Sequence, residues 1–211
     1  MKNVLGQEIF STQKEKEEFY DKTYPNHIIS EQEFKTRYQN KGKDDFFLEV
    51  VLPFCVAKEV KTVLDVGADH GRYSAMFSDI GATVTAMEIS PIRTKHLRDT
   101  LDSYGYSHIQ TVCADIETAE LEKHDFAFCS DVIEHLERPF ETWDKLIGHS
   151  KYIYALIPKE SSWNWSPDHT VNFDDEKIID LLLAASGIIR CDVIDFDESN
   201  SWYAILVKGA L

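Results

Sequence analysis

The sequence predicts an α/β protein, a mostly parallel sheet between helical layers, and three observations carry that reading. From residue 61 onward, short β-rich apolar runs alternate with longer helical runs. Capping and breaking residues stand at the junctions: Ser90 and Pro91 at a helix start, Gly81, Gly105 and Gly187 at helix stops. The chain has 211 residues, 43% of them apolar, which is enough for one full core.

Residues 1–60 read differently. "TQKEKEEFYDK" is charged and helix-prone, and "SEQEFKTRYQNKGKDDFFLEVVLPFCVAKEV" has helical spacing with Phe34, Tyr38, Phe46, Phe47, Val50 and Val51 as apolar positions. "NKGK" separates two helices. The expected organisation is a helical N-terminal extension over 1–60, acting as a cap or lid, and a core domain over 61–211.

In that core "KTVLDVG" is the first strand. A helix is expected over about 71–80, closed by Gly81, and "ATVTAMEI" is the second strand. "SPIRTKHLRDTLDSYG" is a helix, with Ser90 as its N-cap and Gly105 beyond its end. "IQTVCAD" and "DFAFCSD" are the third and fourth strands. "PFETWDKLIGH" is helical and "KYIYALIP" is the fifth strand. "DDEKIIDLLLAASG" is a helix with acids in its first turn. "IIRCDVIDF" and "SWYAILVKG" close the chain as a hairpin. The expected architecture is a Rossmann-like three-layer sandwich with a mostly parallel seven-stranded sheet and a final antiparallel strand. Ligands of such sheets bind beyond the carboxyl ends of the strands. The positions to read are therefore 65–71, 88–90, 115–116 and 130–135.

Composition narrows the function classes. Lys and Arg number 22 and Asp and Glu 37, for a formal charge of −15, which argues against a polyanionic partner such as nucleic acid. No apolar run approaches the ~20 residues that span a bilayer, and no secretory leader is visible. A soluble, cytoplasmic protein with no membrane partner is expected. Cys55, Cys113, Cys129 and Cys191 form no CxxC pair and sit among apolar neighbours, so buried free thiols are expected.

The stretch "VLDVGADHGRYSAMF" (63–77) carries the chemistry. Gly67 and Gly71 let the backbone turn tightly and approach a ligand. Asp69 stands where a dinucleotide fingerprint has its second glycine, and Asp tolerates a left-handed backbone better than most residues. Asp65 and Asp69 put negative charge where a pyrophosphate would need bare N–H groups, which disfavours a nicotinamide oxidoreductase. A cationic adenosine compound without phosphates suits the loop; S-adenosylmethionine is one.

"DVGADHG" resembles the first motif of the class I S-adenosylmethionine-dependent methyltransferases. Asp65, Gly67 and Gly71 match it, and Asp69 replaces the middle glycine. The resemblance continues in order over about 60–208. It implies that Ala68 and Asp69 line the cofactor turn, that Glu88 accepts from the ribose hydroxyls beside Ile89, that Asp115 meets the adenine amino group with Ile116 against the ring, and that Ser130 and Asp131 border the site. "SDVIEHLERP" resembles the segment after the fourth strand in small-molecule members.

If a helix begins near Val132, then Asp131, Glu134 and His135 share one face. His169 follows the fifth strand. Two carboxylates and two imidazoles suit Mg²⁺ or Mn²⁺, with Zn²⁺ less suited. The pattern is similar to the ExxEH segment and later His that hold a metal in ubiquinone-pathway O-methyltransferases and small-RNA terminal 2′-O-methyltransferases. The same Asp-x-x-Glu spacing also reads as a capping box, with His135 bonding locally or serving as a base.

A small-molecule acceptor, taking the methyl on O or N, is expected. His135 is the first candidate base and His169 the second. Trp163 and Trp165 either pack their loop or line an acceptor pocket with Tyr20 and Tyr24. Two rival readings are a terminal 2′-O RNA methyltransferase with a metal site and a non-catalytic binding module of this fold.

Overall fold

The computed structural model of the chain describes residues 10, 12–23, 30–36, 43–159, 168–195 and 201–211. Tyr24, Tyr38, Trp163 and Trp165 lie outside these.

The elements follow in chain order. Helices α1 (Gln13–Thr23), α2 (Glu31–Lys35) and α3 (Lys43–Phe46) lead through a π-helical turn (Phe47–Val51) into α4 (Leu52–Ala57). Strand β1 (Thr62–Val66), helix α5 (Arg72–Asp79), strand β2 (Thr83–Glu88), helix α6 (Pro91–Ser103) and strand β3 (Gln110–Cys113) come next. Strand β4 (His124–Ser130), a 3-10 turn (Ile133–His135), helix α7 (Pro139–His149), strand β5 (Ser150–Lys159), helix α8 (Asp175–Ala184) and strands β6 (Gly187–Asp195) and β7 (Ser201–Lys208) complete the chain. The sheet order is β3-β2-β1-β4-β5-β7-β6. Strand β1 pairs with β2, β2 with β3 and β4 with β5 in parallel, and β7 runs antiparallel to both β5 and β6. This is the sheet the alternation predicts.

Two compact units make up the chain, one over Gln13–Ala119 and one built on Glu120–Leu211. In the first unit, four of the five residues of β1 are buried, as in a strand covered on both faces. Strand β3 has no buried residue and forms the sheet edge. Ser90 Oγ accepts from the Arg93 N–H at 3.0 Å, so the expected N-cap is made. Phe47 and Val51 are buried, while Phe46 and Val50 are only partly covered. Pro53 accompanies the π turn: it has no N–H to donate back, and the widened turn lets the helix continue.

In the second unit, Trp143 Nε1 of α7 donates to the Leu181 carbonyl of α8 at 2.8 Å. Asp174 caps α8 by accepting from the Lys177 N–H at 3.0 Å. That helix ends at Ala184, and Gly187 opens β6 instead of closing the helix. The helix expected from Val132 is only the three-residue 3-10 turn.

Two of the four thiols depart from expectation. Cys55 and Cys129 are buried, but Cys113 and Cys191 are exposed. Both exposed ones lie on β3 and β6, the two edge strands of the sheet, which have a neighbouring strand on one side only. Among the described residues no helix is long and apolar enough to cross a membrane.

Candidate functional site

In the Gln13–Ala119 unit the site is built at the carboxyl ends of β1, β2 and β3. The loop after β1 uses three left-handed residues in five: Gly67 (φ 70°), Asp69 (φ 49°) and Gly71 (φ 75°). Asp69 thus occupies the conformation that its replacement of glycine requires. The Gly67 and Ala68 N–H groups donate to the Met87 carbonyl at 2.9 and 3.0 Å, which folds the loop back onto β2. At Gly71 a Cβ would stand 2.8 Å from the Leu97 and Leu101 side chains of α6, so the loop and helix approach as only glycine permits.

Glu88 ends β2 with its carboxylate held by three backbone donors. Ile89 N–H reaches Oε1 at 2.9 Å, Ser90 N–H reaches the same oxygen at 3.4 Å, and Asp69 N–H reaches Oε2 at 3.3 Å. Burial pushes the Glu88 carboxyl above the usual carboxylate range, and the Arg93 charge acts against that rise. The carboxylate is thereby fixed in one orientation at the strand end.

Asp65 does something else. It is 1% exposed and accepts from Ser74 Oγ at 2.5 Å. Burial raises its pKa to about 7; the Ser74 bond opposes the rise, and the charges of Glu88 and Asp69 add to it. This bond ties the end of β1 to α5.

The loop is less negative than its sequence implies. Asp69 is in an ion pair with Arg93, and His70 Nε2 lies 3.3 Å from its other oxygen. Arg93 was missed in the sequence reading. A signal was present: a cation in the first turn of α6, where the helix dipole favours an anion, needs a partner elsewhere.

Asp115 lies two residues beyond Cys113, the register partner of Glu88. Its Oδ1 accepts from the Glu117 N–H at 2.9 Å, and its Oδ2 accepts from Lys16 Nζ at 3.3 Å. Ile116 beside it is buried. Lys16 was also missed, and nothing in its charged surroundings singles it out.

In the second unit a separate cluster forms. Ser130 ends β4 and Asp131 follows it. Asp131 has φ 54° and accepts from Trp202 Nε1 at 3.0 Å and from Ser130 Oγ at 3.1 Å. Glu134 is buried in the 3-10 turn. Thr170 pins the later segment to this turn: its N–H donates to the Glu134 carbonyl at 2.8 Å, and its hydroxyl donates to the Glu134 and Leu136 carbonyls. His169 is thereby carried to His135, the two rings packing edge to face with centroids 4.6 Å apart. Glu134, His135 and His169 each offer a ligand atom, all within 4.8 Å of one another. Asp131 is not part of this group. The helix that would have put it on the same face does not form, and Trp202 takes its carboxylate. Asp168, unnoticed in the sequence, is buried and places Oδ2 3.0 Å from His135 Nδ1.

This arrangement, a Rossmann-like sheet with a left-handed glycine loop and an acid ending the second strand, defines an α/β protein with its candidate site at the strand ends. The methyltransferase-domain family matches residues 37–170, and the chain belongs to it. The mitochondrial ubiquinone biosynthesis O-methyltransferase of Schizosaccharomyces pombe is 27% identical over 108 residues, which are 47% of this chain and 39% of that relative. Thus the match spans well under half of that relative's length. The magnesium protoporphyrin IX methyltransferase of Synechocystis PCC 6803, solved with bound S-adenosylhomocysteine, superposes with a TM-score of 0.68 at 14% identity, over 94% of this chain and 100% of that one. A (4+2)-cyclase, SpnF, shares the fold at a TM-score of 0.69 and 11% identity, over 95% and 97% of the two chains.

Proposed function

We propose that the chain transfers the methyl group of S-adenosylmethionine to an oxygen or nitrogen of a small molecule. The observation that carries this reading is Glu88: a buried carboxylate at the end of β2, fixed by three N–H groups beside a left-handed glycine loop. That is an acceptor set up in advance for a diol such as a ribose. Asp115 is assigned to the adenine amino group, Ile116 to the ring face and the 67–71 turn to the methionine end. The cofactor supplies an electrophilic methyl on a positive sulfur. The protein's tasks are to orient the acceptor, exclude water and remove a proton.

His135 is the base in this reading. An oxygen of Asp168 lies 3.0 Å from Nδ1, and in this reading Nδ1 carries the proton facing that carboxylate while Nε2 accepts one. The charge of −15 favours a small acceptor over a nucleic acid. The test is a thermal melt with S-adenosylhomocysteine at about 100 times its Kd. Specific binding is expected to add about 2.7 kcal/mol, roughly 5–10 °C for this size. No shift would move the binding-module reading to first place.

A second reading rests on Glu134, His135 and His169. One carboxylate and two imidazoles with ligand atoms inside 4.8 Å fit a divalent cation, and Asp168 would orient His135 from its far side. Such an ion would lower the pKa of a bound hydroxyl. Turnover unchanged both in a chelator and by His169→Ala would dispose of it.

A further inference from the structure

Two polar contacts fasten helix α1 to the residues that follow β2 and β3. Lys16 Nζ lies 2.8 Å from Glu117 Oε2 and 3.3 Å from Asp115 Oδ2. Five residues later, Asp21 accepts from Ser90 Oγ, the same hydroxyl that caps α6. Five helical residues rise about 7.5 Å. Adjacent strands stand about 4.8 Å apart. The two contacts therefore bridge neighbouring strand ends, those carrying Glu88 and Asp115.

The contrast within α1 is informative. Lys14 and Lys22 have side chains 82% and 77% exposed, and both pair with Glu18 on the helix itself. Such pairs contribute little beyond helix formation. Lys16 is 6% exposed and pairs with carboxylates about a hundred residues later. Burying a lysine with two acids is not a stabilising device in general, and removing one partner of such a group is costly. A role at the ligand end of the sheet accounts for it.

We propose that Lys16 is a positioning residue of the cofactor site and that α1 is the cover over its purine end. This rests on the cofactor reading above. Lys16 holds Asp115 and Glu117 in place. Each oxygen of Asp115 has a second lone pair, so the carboxylate still has directions in which to accept from an exocyclic amino group. Because α1 lies over that position, release of the cofactor requires α1 to lift, and the Lys16 and Asp21 contacts set how readily it does.

The experiment compares wild type, Lys16→Met, Lys16→Arg and Asp21→Ala. Limited trypsin cleavage at Lys14 and Lys22 is followed without ligand and with S-adenosylhomocysteine. Its dissociation rate is measured by stopped flow. The expected result is faster cleavage in Lys16→Met and Asp21→Ala, protection of the wild type by the ligand, and dissociation about tenfold faster in both variants, a change of about 1.4 kcal/mol. Lys16→Arg restores the wild-type rates in large part. Loss of folding in Lys16→Met, seen by circular dichroism, leaves Asp21→Ala to decide by the same two readouts. Wild type that binds, with folded variants matching it in cleavage and dissociation, overturns this proposal alone. Wild type that binds no S-adenosylhomocysteine overturns the cofactor reading and this proposal with it.

Discussion

His135 Nδ1 lies 3.0 Å from Oδ2 of the buried Asp168, so a carboxylate stands within ion-pair distance of one ring nitrogen of the candidate base. Asp168→Asn keeps the size of the side chain and removes its charge. The wild-type ring is expected to be held with its proton on Nδ1, and the variant to lose that preference, read from the imidazole nitrogen shifts in NMR. Turnover should fall by about 10–100-fold while S-adenosylhomocysteine affinity stays the same. A variant with unchanged shifts and rate would leave Asp168 with no part in the chemistry.

Glu88→Gln is expected to fold and to bind S-adenosylhomocysteine at least about tenfold more weakly, because an amide offers a single weaker acceptor. Glu88→Ala should also cost stability, about 1–3 kcal/mol, because three backbone N–H groups, one buried and two partly buried, lose their acceptor. Calorimetric titration and urea unfolding separate the two effects. Full affinity in Glu88→Gln would remove the assignment.

Gly71→Ala introduces a methyl 2.8 Å from both Leu97 and Leu101 at a left-handed φ. Both leucines are fully buried, so a shift of either disturbs the packing around it. Destabilisation of about 1–3 kcal/mol from overpacking is expected, with roughly 1–2 more from the backbone. Urea unfolding with unchanged midpoint would contradict the close approach of loop and helix.

Asp65 makes stability depend on pH. Its carboxyl is raised by burial from 3.8 to about 7 in the folded state. Between those values the folded chain holds a proton that the unfolded chain has lost. This contribution is fully present below pH 4 and is lost as pH rises through 7. Asp65→Asn, which cannot ionise, should therefore gain on the wild type across that interval. Parallel stability curves for the two proteins from pH 4 to 8 would refute the raised pKa.

Much of the architecture is legible because local rules agree with one another. Ser90 before Pro91, Asp174 before two acids, and Gly81 and Gly105 after α5 and α6 mark boundaries through local backbone preference. Asp69 in a glycine's place is readable for the same reason, since its left-handed φ is a property of the residue itself. The 131–135 segment misled because Asp-x-x-Glu suits a helix start, while Trp202, seventy-one positions later, takes Asp131. The thiols misled because an apolar neighbourhood in sequence does not say whether a strand lies at the edge of its sheet.

The sequence by itself determined the alternation of strands and helices, the order of the strand-end acids and the glycine loop, since each depends on spacing and backbone preference over a few residues. Tertiary structure alone decided which charges meet: Arg93 with Asp69, Lys16 with Asp115 and Glu117, Asp168 with His135. Those pairings depend on where separate elements come to rest. An ion pair between distant positions leaves no periodic trace in the chain, because its energy depends on distance in space and not along the sequence.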